Sequence, residues 1–219
     1  MTTSAAEDYL KTIYDMEQVG ARATTSALAA RLGVQPASVT GMVKRLAESD
    51  LVSHTPYGGA DLTAAGRRTA LSVARHHRVV ERFLVDTLGV PWDEVHDEAH
   101  KLEHALSDAL VDRLAAFLGH PATCPHGSPI PSPEGEIAEA AQIALAELPV
   151  GQIAVVSEVD DEDAAFLRYL SSLGLVPGAP VEVVAVAPFD GLLTLRIAGQ
   201  EQVIGGRAAG RVWMHHKEV

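Results

Sequence analysis

Thr24-Thr-Ser-Ala-Leu-Ala-Ala-Arg-Leu-Gly-Val-Gln-Pro-Ala-Ser-Val-Thr-Gly-Met-Val-Lys-Arg-Leu-Ala-Glu48 holds two short apolar-periodic segments on either side of a break at Gly33-Val-Gln35. Thr24-Thr-Ser supplies side-chain oxygens able to cap a first helix over Ala27–Leu32, and Gly33 ends it, since glycine takes the left-handed C-terminal conformation without strain. Pro36 is tolerated in a first helical turn and opens a second helix. Two such helices around a glycine-containing turn predict a helix-turn-helix. Working outward, residues 5–19 place Tyr9, Leu10, Ile13, Tyr14 and Met16 on one side at helical spacing, with Ser4 as a cap. On the other flank, Leu51-Val-Ser-His54 and Ala60-Asp-Leu-Thr63 enclose Tyr57-Gly-Gly59, whose glycines suit a hairpin turn. Residues 1–63 therefore read as a winged helix-turn-helix.

Thr63 caps a long helix running to about Gly89, and Trp92-Asp93 leads into another, Glu94 to Leu118, with Val95, Leu102, Leu106, Leu110 and Leu114 as its expected buried stripe. Residues 119–133 hold prolines and glycines that no helix interior accepts, so they read as a connector, followed by a short helix from about Glu134 to Glu147. From Pro149 the pattern changes to brief β-rich runs at Ile153–Val156, Val181–Val186, Leu192–Ile197, Gln202–Ile204 and Arg211–Met214. With one helix near Ala164–Leu173, these predict a small β-barrel. The expected fold is thus mainly α with a small β-barrel: a DNA-binding domain over 1–63, a helical domain over 64–148 that includes the connector, and the barrel over 149–219.

Composition agrees with a globular chain: 219 residues, 47% hydrophobic and 21% charged. No apolar stretch approaches the ~20 residues of a spanning helix, and the N-terminus lacks a basic and apolar leader, so the expected setting is cytoplasmic with no membrane partner. A single cysteine excludes an intrachain disulfide and leaves Cys124 as a buried thiol or a metal or redox group. The net charge of −12 argues against nucleic acid until its distribution is read. Residues 1–80 hold nine Lys and Arg against seven Asp and Glu, whereas residues 81–219 hold eight against 22. A neutral-to-basic module precedes an acidic body.

Five of the ten histidines lie between residues 76 and 104. His96, His100 and His104 recur at i, i+4, i+8 with Glu103 on the same helical face, and His77 and Glu81 form a separate i, i+4 pair. Imidazole nitrogens and carboxylate oxygens on one stripe are what a divalent transition metal requires, while a hydrated polar face laced with ion pairs is the plain alternative. Cys124-Pro-His126 adds a thiol and an imidazole on the connector. Beside the acidic run Asp160-Asp-Glu-Asp163 it can complete a site with His77 and Glu81 if the connector folds back onto the helices.

These residues resemble the metal-dependent regulators of the diphtheria toxin repressor and manganese transport regulator type, over essentially the whole chain. The resemblance is carried by Asp8-Tyr-Leu-Lys-Thr-Ile-Tyr14, Gln35 to Leu46, His77-Arg-Val-Val-Glu81, Val95 to His104, and Gly174-Leu-Val-Pro-Gly178 in a barrel similar to the ferrous-transport accessory domain, FeoA. It implies a primary metal site of Asp8, His100, Glu103 and His104. It also implies an ancillary site of His77, Glu81, Cys124, His126 and an acid of the 160–163 run, Asp160, with His96 as a further candidate. Iron-type members have Met where Asp8 stands and Cys where His100 stands; manganese-type members have Asp and Glu. The mixed pair here favours Mn²⁺, with Fe²⁺ as the alternative and Co²⁺ or Zn²⁺ able to substitute in vitro. Lys11 stands where compact two-metal manganese regulators have Glu, which points to separate sites.

The implied function is a homodimeric, metal-activated repressor of palindromic operator DNA that controls metal homeostasis genes and takes no small organic substrate. Gln35, Ala37, Ser38 and Thr40 are positioned to face base edges, and Lys44, Arg45 and Tyr57 to meet phosphates. The apolar side of the body helices, including Phe83, Leu84 and Leu88, is the expected dimer surface. Two rivals differ in class. A regulator of the same fold answering a small organic effector would bind DNA without metal. A metal-dependent hydrolase lacks support because no His-Glu-x-x-His, nucleophile elbow or phosphate loop occurs.

Overall fold

The computed structural model describes residues 2–55, 59–138 and 141–216. The chain forms two compact units, one of residues up to His76 with Pro131–Glu136, the other of His77–Ile130 with the residues from Ile137 onward.

In the first unit α1 (Ser4–Gln18) is capped by Thr3, whose hydroxyl accepts from the Ala6 amide, and it buries Tyr9, Leu10, Ile13, Tyr14 and Met16. Helix α2 (Thr25–Leu32) is capped by Thr24 and stops at Gly33, which takes φ +65°. After it, α3 (Pro36–Glu48) begins at Pro36 and turns Val39, Val43 and Leu46 inward. Strands β1 (Val52–Thr55) and β2 (Gly59–Leu62) pair antiparallel from Val52↔Leu62 to Thr55↔Gly59. The Leu62 amide donates to Glu17, which also pairs with Arg67 at the start of α4 (Ala64–Leu88). Gly66 is dictated by space: a Cβ there would sit 1.9 Å from the Leu51 carbonyl oxygen.

The second unit departs from expectation in the body helices. The single helix expected from Glu94 to Leu118 is two, α5 (Val95–Glu103) and α6 (Asp108–Phe117), because Ser107 takes an extended cap conformation (φ −82°, ψ 152°) ahead of Asp108. The break rotates the faces. Val95, Ala99, Val111 and Ala115 are buried, while Leu102 and Leu110 of the expected stripe are exposed. In the first unit, the helix expected from Glu134 is replaced by a turn in which the Glu134 and Glu136 amides donate to Ser132 Oγ and Gly135 takes φ +83°. Further on, β3 (Ile143–Ala144) and a 3₁₀ turn (Leu145–Glu147) occupy the end of that range.

The expected β-barrel is corrected to an open sheet. Strands β4 (Ile153–Val159), β5 (Pro180–Val186), β6 (Leu192–Ile197), β7 (Gln200–Gly205) and β8 (Val212–His216) join β3 in the order β3-β8-β4-β5-β6-β7, all neighbours antiparallel. Closure would require β7 to hydrogen-bond to β3. Instead β3 is two residues long, and β7 leads at Gly205 into α8 (Gly206–Ala209), which packs against the 3₁₀ turn. Helix α7 (Ala164–Leu173), capped by Asp163, buries Phe166, Leu167 and Leu170 in the core that also holds Val156, Val183, Leu195 and Met214. A register shift at Ser157 bulges β4 where the connector crosses it.

Candidate metal centre

Four buried polar groups of the second unit gather in one place. His77 and Glu81, one turn apart on α4, meet Glu103 at the end of α5 and His126 of the connector, and all four are buried. His77 lies between two carboxylates: Nδ1 is 2.5 Å from Glu103 Oε2, and Nε2 is 3.0 Å from Glu81 Oε1 and 3.2 Å from His96 Nδ1. On the α5 face, Glu103 Oε1 is also 2.8 Å from His100 Nδ1 and 3.3 Å from His104 Nε2. The i, i+3 and i, i+1 spacings of the sequence thus bring His100, Glu103 and His104 together within this unit, with Glu103 as the shared carboxylate. Asp8 stands half-buried on α1 of the first unit.

The connector does fold back onto the helices. Arg78 donates to the Pro129 carbonyl (2.7 Å), and the connector is fastened to β4 at three points. The Val159 amide donates to the His126 carbonyl (2.9 Å), and Ser128 Oγ donates to Glu158 (2.7 Å). Between them Gly127, at φ +95°, lies so close that a Cβ would be 1.9 Å from the Ser157 carbonyl oxygen. This seating places Cys124 and His126 beside Glu81, with donor atoms of the three residues within 4.8 Å of one another; His77, Glu81 and His96 form a second such group.

His126 is oriented by a group that sequence reasoning missed. Its Nε2–H donates to the Trp92 carbonyl (2.7 Å) and its ring stacks on the Trp92 indole at 5.5 Å. Because Nε2 is committed as a donor to that carbonyl, Nδ1 is the ring nitrogen that faces the pocket. There it lies 3.4 Å from Asp161 Oδ2 and 3.7 Å from Glu81 Oε1. Asp161, not the expected Asp160, is the acid brought to the pocket; Asp160 is engaged by Arg211 through a two-bond fork. No periodicity in the acidic run distinguishes the two, and a backbone carbonyl such as that of Trp92 leaves no mark in a sequence.

The electrostatics match the donor set. Burial opposes ionisation of Glu81, but His77, His126 and His96 outweigh it and hold the carboxyl well below the usual range. Burial, with the Glu81 charge, pushes the Cys124 thiol up. Burial works against charge on His126 too, yet Cys124, Glu81 and Asp161 raise it to about 11. Among the described residues, Glu81 Oε2 and His126 Nδ1 are buried without a hydrogen-bond partner, which is costly for polar atoms unless something supplies one. Oxygen, nitrogen and sulfur donor atoms gathered at one such point, two of which would give up protons to a cation, fit a divalent transition metal.

In the first unit, Gln35, Ala37, Ser38, Thr40, Lys44 and Arg45 are all exposed along α3, opposite the buried Val39, Val43 and Leu46. Thr40 donates back to the Pro36 carbonyl and Arg45 Nε to the Gly41 carbonyl. Tyr57 lies outside the described residues.

Three family models match in chain order: the iron-dependent repressor N-terminal DNA-binding domain at residues 1–60, the iron-dependent repressor metal-binding and dimerisation domain at 63–132, and the FeoA domain at 143–215. That order defines a transcription regulator of the metal-dependent class. The chain is 36% identical over 209 residues to the iron-dependent repressor IdeR of Mycobacterium leprae, covering 90% of each protein. It is 32% identical to the diphtheria toxin repressor of Corynebacterium jeikeium, covering 85% of this chain and 86% of that one. Among solved structures it is similar to a manganese-dependent transcriptional repressor in complex with manganese, at 38% identity and a TM-score of 0.91 over 97% of this chain and 100% of the other. It is also similar to the manganese regulator SloR, at 31% identity and a TM-score of 0.82 over 97% and 98%. The chain belongs to the diphtheria toxin repressor and manganese transport regulator family of metal-dependent transcriptional repressors.

Proposed function

We propose that this chain is a homodimeric repressor, activated by Mn²⁺, that binds operator DNA and controls metal homeostasis genes. It is a regulator and not an enzyme, as the members of its family are. The observation that carries the metal requirement is the pair of buried atoms without a hydrogen-bond partner, Glu81 Oε2 and His126 Nδ1, amid sulfur, nitrogen and oxygen donors. Supporting Mn²⁺ are the manganese-dependent relatives and the hard oxygen donors Asp8, Glu81, Glu103 and Asp161.

Glu81, Cys124 and His126, with Asp161, His77 and His96, would hold one ion; His100, Glu103 and His104, with Asp8 as the oxygen donor that the family resemblance adds, would hold another. A bound divalent cation supplies positive charge that offsets the carboxylates and fixes the side chains around it. The protein prepares that exchange with its own groups. His126 keeps a proton on Nδ1 between Glu81 and Asp161, and His77 spans the two sets by hydrogen-bonding Glu81 on one side and Glu103 on the other. The exposed row from Gln35 to Arg45 meets base edges and phosphates, and Leu88, Leu102, Leu110 and Phe117, apolar yet exposed, support the dimer surface on the body helices.

Selection of protein-bound sites from random duplexes, run anaerobically with chelator, Mn²⁺ or Fe²⁺, tests the reading. Enrichment of a palindrome only with metal, at a lower Mn²⁺ than Fe²⁺ midpoint, is expected. Equal enrichment in chelator would overturn metal activation and redirect the search to an organic effector.

A further inference from the structure

The acidic run that contributes Asp161 is held by a clamp with no part in binding DNA or, on the reading above, in ligating metal. Arg211, immediately before β8, donates from Nε to Asp160 Oδ2 and from Nη2 to Asp160 Oδ1, each at 3.0 Å. The Asp160 amide returns a bond to the Arg211 carbonyl (3.1 Å), and Asp160 Oδ1 also accepts the Glu162 amide (3.1 Å). The guanidinium lies 4.0 Å above the Phe166 ring of α7. Three residues further along the run, Asp163 Oδ1 caps α7 by accepting the Ala165 and Phe166 amides. Asp160 and Asp163 are thereby bound into the framework of sheet and helix. Asp161, between them, is the one that reaches His126 Nδ1 (3.4 Å) and His96 Nδ1 (4.0 Å).

We infer that Arg211 is a positioning residue for the buried centre: its fork on Asp160 sets where the neighbouring Asp161 carboxylate stands relative to His126. The inference rests on the proposed role of Glu81, Cys124 and His126 as metal ligands. Its physical basis is geometric. A bidentate guanidinium fixes both the position and the roll of the carboxylate it grips, and the return bond from the Asp160 amide fixes the peptide as well. With that peptide fixed and Asp163 held by the helix N-terminus, the two intervening residues, Asp161 and Glu162, have little backbone freedom left. A lysine would supply a charge at the same place but no planar fork, so it would hold Asp160 without setting its orientation. The clamp thereby ties the acidic run to the residue that leads into β8.

Co²⁺ titration of the full-length protein gives a readout specific to this centre, since a thiolate–Co²⁺ charge-transfer band arises only when Cys124 is a ligand. Arg211→Met is expected to need about 10–100-fold more Co²⁺ to develop that band, the usual cost of losing an outer-shell partner. Arg211→Lys and Asp160→Asn, which disturb the framework less, should weaken it in the same sense, and thermal unfolding in chelator registers any purely structural loss separately. The deciding comparison is Arg211→Met combined with Asp161→Asn. If Arg211 acts through Asp161, the double variant binds Co²⁺ no more weakly than Asp161→Asn alone. A double variant weaker than Asp161→Asn by the full factor of the arginine change, or an Arg211→Met protein that melts lower yet binds Co²⁺ normally, overturns the inference. If the wild-type protein gives no thiolate band, or Cys124→Ser keeps it, the proposed ligand set itself fails and this inference with it.

Discussion

Loading the buried centre should expel protons, and the number follows from two groups. In the metal-free protein His126 carries a proton on Nδ1, held to about 11 against burial by Cys124, Glu81 and Asp161, and Cys124 carries one on sulfur, kept there by burial and the Glu81 charge. Both protons sit on the atoms that face the pocket, because His126 Nε2 is already spent on the Trp92 carbonyl. A cation taking Nδ1 and Sγ must displace both, so at pH 7.5 the release approaches two protons per ion and affinity rises with pH. The apparent constant should climb about 100-fold per pH unit between pH 7 and 8, equivalent to about 2.7 kcal/mol at about 1.36 kcal/mol per proton. The sign is fixed by the direction of the shifts: both groups hold protons that a metal must remove, so acid weakens binding.

Calorimetric titration of Mn²⁺ or Co²⁺ in buffers of different ionisation enthalpy counts those protons directly. A His100→Ala/His104→Ala background confines the measurement to the buried centre, and Cys124→Ser should lower the count from about two to about one. A release below about half a proton, with affinity flat between pH 7 and 8, would refute the assignment of Nδ1 and Sγ as ligands. In chelator the sign runs the other way. The raised His126 value contributes stability that is fully present below the ordinary histidine range and is lost as pH climbs toward about 11.

Gly127→Ala should cost about 3 kcal/mol or more, from the left-handed backbone and the collision with the Ser157 carbonyl, and should abolish the Cys124 thiolate–Co²⁺ band; an unchanged melting temperature would contradict the close packing of connector and β4. Thr24→Ala removes the α2 cap and should lower stability by about 1 kcal/mol in urea unfolding. Lys44→Ala or Arg45→Ala should weaken operator binding across sequences and reduce the slope of log affinity against log salt by about 1, whereas Ser38→Ala should alter site preference and leave that slope unchanged. Asp8→Met with His100→Cys should move activation toward Fe²⁺ in gel-shift titrations; an unchanged ratio of Fe²⁺ to Mn²⁺ midpoints would refute ligand softness as the basis of selectivity.

The front of the chain was readable because its signals are local. Thr24, Gly33 and Pro36 each act on the backbone within a few residues, and α2 and α3 form where those residues put them. The body was less so. Val95, Leu102, Leu106, Leu110 and Leu114 keep a helical period through Ser107, and periodicity alone cannot register that a serine in an extended cap has reset the phase. Leu102 and Leu110 also show why an apolar stripe is ambiguous: a face that would be buried by a second copy carries the same pattern as one buried in its own core. The barrel failed for a reason of length. Five β-rich runs of the right spacing specify a curled antiparallel sheet, but closure depends on whether the edge strands meet, and that was decided by a two-residue β3 and by α8.

The candidate metal centre divides along the same line. His77–Glu81 and His100, Glu103 and His104 are i, i+4 and near-neighbour arrangements on helices, so the chemistry could be seen before any contact was known. The connector half was visible only as residue types, since seating Cys124 and His126 against α4 takes Gly127 at the Ser157 bulge, Ser128 on Glu158 and Arg78 on Pro129, none of which has a local signature. Asp160 and Asp161 mark the limit most sharply. They are adjacent and identical in type; an arginine 51 residues further along the chain grips one carboxylate, and its neighbour is the one that stands beside the histidine. Which carboxylate faces a histidine across elements therefore depends as much on the residue that grips one acid as on the approach of the other.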